Sequence, residues 1–151
     1  MKLEFELPIK AFSINSYHYA NRKIKTKEAR EWEQKVLSLI NYDTRNALAD
    51  IRKHFEHMGG SFRLQLEFQY PREVYYNKDE EISARTFDLS NVEKPIMDLI
   101  FLQTMKIDDR FVDKLTSKKK AGDKYNIKIR ILYLPTTLVS GKVRLPTKSL
   151  P

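Results

Sequence analysis

Residues 61–70, Ser-Phe-Arg-Leu-Gln-Leu-Glu-Phe-Gln-Tyr, alternate apolar and polar positions without a break. A period of two marks a strand with one buried face, so Phe62, Leu64, Leu66, Phe68 and Tyr70 are expected inward and Arg63, Gln65, Glu67 and Gln69 outward. The same period returns at Leu3, Phe5 and Leu7, against Glu4 and Glu6, in a first strand stopped by Pro8, and at Ile127, Ile129, Ile131 and Tyr133 in a strand over 125–133. Between these, Ala29, Trp32, Val36, Leu39 and Ile40 recur at helical spacing, which predicts a helix from about 27 to 40 capped by Thr26. A second helix through Leu48, Ile51 and Phe55 is expected to start at Asp43 or Thr44 and to end at Gly59-Gly60. Residues 72–86 show no period and predict a long loop leading toward the next helix. Phe111-Val112 opens another strand, and the turn residues Ala121-Gly122-Asp123 predict that it forms a hairpin with 125–133. The pattern describes one α+β domain over 1–134, a small mixed or antiparallel sheet with helices packed on it. Residues 135–151 read as a basic, extended, partly disordered tail.

Composition narrows the chemistry. The chain has 151 residues and no cysteine, so neither a disulfide framework nor a thiolate metal site is available. Its start, Met-Lys-Leu-Glu-Phe-Glu-Leu-Pro, holds no continuous apolar run, which predicts neither a signal peptide nor a membrane span and makes the cytoplasm the expected location. Lys and Arg number 28 against 20 Asp and Glu. The two signs balance through residue 105, so the whole excess of +8 falls in the last third, around Lys118-Lys119-Lys120 and Lys124. A basic surface of this kind suits a polyanion, although a solvated face that keeps the protein soluble has the same composition. Asn15, Tyr17, Arg22, Lys23 and Lys25 form a second basic stretch with interleaved aromatics, able to stack on bases and hold phosphates or simply to cover the core edge. His54 and His57 lie three apart on the second helix without an acid at matching spacing and read as surface residues.

The acids gather in one place. Asp88, Asp98, Asp108 and Asp109 surround a short apolar helix that also carries Asn91 and Lys94. Ser90 with Glu93 three residues later has the spacing of a capping box, which starts the helix near Ser90 and leaves Pro95 close to its first turn. Asp88 then stands at the positive end of the helix, where amides also attract phosphate, and Lys94 lies a turn further on. Carboxylates brought together repel one another unless a cation sits between them, and hard oxygen donors select Mg²⁺ or Mn²⁺. From spacing alone, a helix cap followed by a polar Asp-Asp turn accounts for the same residues.

The pattern D-L-x-N-x-x-K-x-x-x-D, followed ten residues later by D-D, reads here as Asp88, Leu89, Asn91, Lys94, Asp98, Asp108 and Asp109. Together with Pro8, the Ser13-x-Asn15-x-x-His18 segment and the order of elements over residues 3–134, it resembles the RusA-type crossover junction endonucleases, Holliday-junction resolvases of bacteria and their phages. The resemblance implies a homodimer that cuts symmetric four-way DNA junctions with Mg²⁺ (Mn²⁺ as the alternative), without membrane or small-molecule cofactor. It also implies catalysis by Asp88, Asp109 and Lys94, with Asp88, Asp108 and Asp109 as metal ligands. The family's best-known pattern has a second aspartate where this chain has Ser90, so Ser90 or Asn91 would contribute through a water. A neutral hydroxyl is a weak Mg²⁺ ligand, and a catalytically impaired junction-binding protein is the alternative reading. An RNA-binding or protein-interaction module using the basic face is a third.

Helix length adds one expectation. A straight helix over 91–105 rises about 22 Å, and four residues can return at most about 13 Å, so Asp88 and Asp109 of one chain are not expected to meet. Val92, Ile96, Met97, Leu99, Ile100, Phe101, Leu102 and Met105 cover more than one face of that helix. This predicts antiparallel packing against a two-fold mate, with Asp109 of one subunit near Asp88 of the other.

Overall fold

Strand β1 (Lys2–Leu7) forms one edge of a four-stranded sheet. The other strands are β2 (Gly60–Pro71), β3 (Val112–Gly122) and β4 (Asn126–Pro135), in the order β1-β4-β2-β3. This is a computed structural model, describing residues 1–18, 24–139 and 142–144, the stretches from 137 onward by backbone alone. β2 and β4 are antiparallel, with Phe62 opposite Tyr133, Leu64 opposite Ile131, Leu66 opposite Ile129 and Phe68 opposite Ile127. Every one of these side chains is at most 2% exposed. The alternation seen in the sequence thus becomes one apolar face shared by two central strands.

The expected hairpin between β3 and β4 does not form. β3 instead lies parallel to β2 on the far edge, with Leu66 opposite Ser117 and Phe68 opposite Lys119, while β4 inserts between β1 and β2. Burial accounts for the exchange. β4 carries an isoleucine at every second position and gains most when flanked on both sides, whereas the lysines of β3 suit an edge strand, where they also discourage further pairing.

Helix α1 (Lys27–Leu39) begins as the sequence predicts, with Thr26 Oγ1 accepting from the Ala29 amide at 3.1 Å. Helix α2 (Tyr42–Met58) starts earlier than expected because Asn41, rather than Asp43 or Thr44, caps it, its Oδ1 accepting from the Thr44 amide at 2.8 Å. Gly59 ends α2 with a φ of 61°. Gly60 then starts β2 so close to β4 that a Cβ there would stand 2.2 Å from the Leu134 carbonyl oxygen. Phe55 of α2 packs against Phe62 and Tyr133, and Trp32 and Val36 of α1 join the same core, so the helices cover one face of the sheet.

Residues 72–86 are more ordered than their lack of period suggests. They open with a single helical turn, α3 (Arg72–Tyr75), and fold back through a bridge between Tyr76 and Ile82. Asn77 Oδ1 accepts from the amides of Asp79 and Glu81, and the Arg85 guanidinium donates to the carbonyls of Glu73 and Tyr76. Polar side chains bonding to nearby backbone leave no hydrophobic period to read. In the segment expected as an extended, partly disordered basic tail, β5 (Thr137–Val139) pairs antiparallel with β6 (Lys142–Arg144), and the rest of 140–151 lies outside the described residues.

Candidate active site

Helix α4 (Leu89–Asp98) connects the loop to a wider π-helical stretch, Leu99–Met105. Asp88 is the N-cap residue and its carbonyl accepts from the Asn91 amide, but its side chain makes no capping bond, leaving the exposed carboxylate free at the positive helix end. The capping box is not made. Ser90 is an exposed residue of the first turn, and Glu93 reaches across to accept a hydrogen bond from Ser117 Oγ of β3. With the helix starting at Leu89, Pro95 is its seventh residue rather than part of the first turn, and it is buried.

After Met105 the chain reverses at Lys106, which adopts the left-handed conformation at φ 58°, ψ 38°. The Ile107 amide closes the turn by donating to the Phe101 carbonyl at 2.9 Å. This brings Asp109 back beside the middle of α4. Lys94 Nζ lies 2.6 Å from Asp109 Oδ2 and 2.8 Å from Asp98 Oδ1, so two carboxylates share one ammonium. Asp108 caps the following 3-10 turn (Asp109–Phe111), with Oδ1 accepting from the Arg110 amide at 2.9 Å.

The two carboxylates are held differently. Burial pushes the Asp98 pKa above its ordinary value, with Lys94 offsetting only part of the effect. The hydrogen bond from Lys94 is the main cause that lowers Asp109, which is better solvated. Burial alone would lower Lys94, but Asp109 and Asp98 together outweigh it and raise the ammonium above its ordinary range. Two acids pushed apart in pKa around one lysine are a common feature of reactive sites.

Asp98 was not among the residues singled out as catalytic or metal-binding from the sequence. Its signal was present in the spacing, because Lys94 and Asp98 are four apart and share a helix face. Its importance comes from the return of Asp109, which no local pattern announces. Asp98 Oδ1 is closed to solvent and has its ion pair with Lys94 but no aligned hydrogen bond. Such an oxygen suits a cation, and Mg²⁺ commonly takes one or two carboxylates and fills its shell with waters and substrate phosphates, so the donor set fits a divalent ion. Among the described residues, however, no three acidic or histidine side chains converge closely enough to hold one. Asp88 precedes Asp98 by ten residues, about 15 Å of helix rise.

The expected DNA contacts are dispersed. Asn15 is exposed on a short 3-10 turn, Ile14–Ser16. Tyr17 is only 3% exposed and donates from its hydroxyl to Glu33, so its ring is closed to base stacking as the protein is folded here. Lys25 Nζ is bound to both oxygens of Glu33 at 2.9 and 3.0 Å. Arg22 and Lys23 lie outside the described residues. The three consecutive lysines of β3 divide between the faces of the sheet. Lys118 and Lys120 pair with Glu67 on the open face, at 3.2 and 2.9 Å. Lys119 points to the helix side, where it donates to Thr86 Oγ1 at 3.1 Å, two positions along the strand from Ser117. Lys124 is exposed beyond the end of β3.

The apolar excess of the 89–105 helix is used within the subunit. Val92, Ile96, Leu99, Ile100, Phe101 and Met105 are at most 1% exposed, and Phe101 meets Phe62 at 5.2 Å between ring centroids. Leu102, at 42%, is left to solvent. The motive for packing two such helices against each other is therefore largely removed, because the wider π-helical turns direct Leu99, Ile100 and Phe101 together into the core.

The profile of the family described as endodeoxyribonuclease RusA matches residues 11–132, which include every element from the Asn15 turn through most of β4. No individually curated protein matches the chain.

Proposed function

Because the chain belongs to the RusA endodeoxyribonuclease family, we propose that it is a structure-selective endonuclease that cuts four-way DNA junctions by metal-assisted phosphodiester hydrolysis. The observation that carries this reading is the ammonium of Lys94 held between Asp98 and Asp109, on a helix whose N-cap residue, Asp88, keeps its carboxylate free. Asp109 is the ligand we assign to the ion within one subunit, with the second oxygen of Asp108 beside it. Asp88, about 15 Å of helix rise from Asp98, would join such an ion only from a two-fold mate, together with a water held by Ser90 or Asn91. Bound there, Mg²⁺ or Mn²⁺ would supply charge against the scissile phosphate and acidify an attacking water. Lys94 then contributes positive charge to the phosphoryl oxygens as the phosphodiester opens, and the free amides at the start of α4 orient the same phosphate.

Lys119, on the face of β3 that carries Ser117, extends positive charge from this site along the strand, and Lys124 continues it beyond the end of β3. Phosphate contacts of this kind set position and affinity rather than sequence preference. Paired cuts in a symmetric junction need two sites, so we propose that a homodimer acts on each junction, in the cytoplasm of a bacterial or phage-infected cell. Cleavage of a synthetic mobile four-way junction with Mg²⁺, run beside Asp88→Asn and Asp109→Asn, tests the reading. Paired nicks that disappear in both variants while binding persists are expected. Nicking that is equal in wild type and variants would remove these acids from the chemistry. Light scattering of the protein alone reads the dimer.

A second reading is favoured by Ser90 and by the absence of a three-acid cluster among the described residues. In it the chain binds junctions and cuts poorly. Activity that appears only in Ser90→Asp would select this reading.

A further inference from the structure

Lys94 occupies a place where a cation is needed. Its Nζ stands 2.6 Å from Asp109 Oδ2 and 2.8 Å from Asp98 Oδ1, so the ammonium provides the charge that keeps two neighbouring carboxylates together. Asp98 Oδ1 is buried and without an aligned hydrogen bond, so this ion pair leaves one strong acceptor incompletely satisfied. An ammonium donates three hydrogen bonds in fixed directions, whereas a divalent ion carries twice the charge and accepts oxygen ligands in any position that its shell allows. The lysine side chain is 46% exposed and has four rotatable carbons with which to move toward solvent.

We infer that Asp98 is a further ligand of the metal site centred on Asp109, supplying the second carboxylate that Ser90 does not, and that Lys94 holds this position until the metal displaces it toward the DNA phosphate. The inference rests on the nuclease reading above. It adds to that reading a competition between lysine and metal for the same two carboxylates, and this competition has a sign that activity measurements do not show.

The test is Mn²⁺ binding to the full chain without DNA, followed by the loss of the free-ion signal in electron paramagnetic resonance. Lys94→Met is expected to bind Mn²⁺ about fivefold tighter or more, because the competing charge is gone. Adding Asp98→Asn to that variant is expected to abolish the gain. Circular dichroism melting of each variant confirms that the comparison is made on folded protein. Equal affinity in wild type and Lys94→Met overturns the competition, and a gain that survives Asp98→Asn overturns the ligand assignment. The same samples are tested for junction cleavage. Wild-type nicking with no effect of Asp98→Asn on Mn²⁺ affinity removes the inference and leaves the nuclease reading in place. If no variant binds Mn²⁺ and the wild type makes no nicks, both fall.

Discussion

Glu33 and Asp98 are both carboxylates drawn into the protein from helices, and their surroundings treat them in opposite ways. Glu33, with its side chain 8% exposed, accepts from the Tyr17 hydroxyl, from Lys25 Nζ at both oxygens, and from Gln103 Nε2 at 2.6 Å. Asp98, 21% exposed, shares one lysine with a second acid and keeps a buried oxygen without an aligned hydrogen bond. The first arrangement is complete. It ties the 13–18 segment, α1 and the end of the α4 extension into one piece, and Tyr17 is held neutral by burial and by the neighbouring Glu33. The second is incomplete in a way that a cation and a phosphate can complete. Satisfied buried polar groups maintain a structure, and unsatisfied ones mark where a ligand is expected.

The largest expected effect is on the incomplete side. Asp109→Asn should reduce junction cleavage by about 10³-fold or more, as for the loss of a charged group acting on a transition state, with little change in the melting temperature. A comparable loss accompanied by unfolding would place Asp109 in the structure rather than in the chemistry. On the complete side the order should reverse. Glu33→Ala leaves Tyr17, Lys25 and Gln103 without an acceptor and should lower the unfolding free energy by about 2–3 kcal/mol, after discounting the partial exposure of Lys25. Urea denaturation reads this directly, and cleavage should fall only as far as the protein unfolds.

A smaller effect separates the two acids that share Lys94. Asp98 has a raised pKa, so the stability it contributes is fully present below its ordinary value of 3.8 and is lost as pH rises through its folded value. Asp109 has a lowered pKa, so its contribution is present above 3.8 and is lost as pH falls through its folded value. Asp98→Asn should therefore become more stable relative to wild type as pH rises above 3.8, and Asp109→Asn less stable as pH rises toward 3.8 from below. Urea midpoints that move in the same direction for both variants would contradict the assignment.

The smallest effect concerns the lysines. Lys118→Gln with Lys120→Gln should leave the urea midpoint nearly unchanged, since both lysines that pair with Glu67 are exposed and screened by solvent. Lys119→Gln should reduce the salt dependence of junction binding by about one unit of slope, as expected for one lost phosphate contact. If the double variant reduces the slope more than Lys119→Gln does, the open face of the sheet is the one that meets DNA.

What could be read from the sequence is what depends on neighbours along the chain. The inward faces of β2 and β4, the Thr26 cap, the glycine stop after α2 and the four-residue spacing of Lys94 and Asp98 all follow from periods of two and 3.6 and from local hydrogen bonding. The motif that carries the family resemblance is local as well. What required the tertiary structure is what depends on partners far apart in the chain. Alternation in β3 and β4 cannot say that β2 lies between them, because a strand shows which face is buried and not which strand it meets. The apolar residues of the 89–105 helix suggested a partner subunit, and a widened helix buried them inside one chain. Tyr17 reads as an exposed aromatic until Glu33, sixteen residues away, accepts a hydrogen bond from its hydroxyl in the core. Asp109 reaches Lys94 only because Lys106 turns the backbone through a left-handed conformation, so the pairing at the centre of the site is a product of the fold.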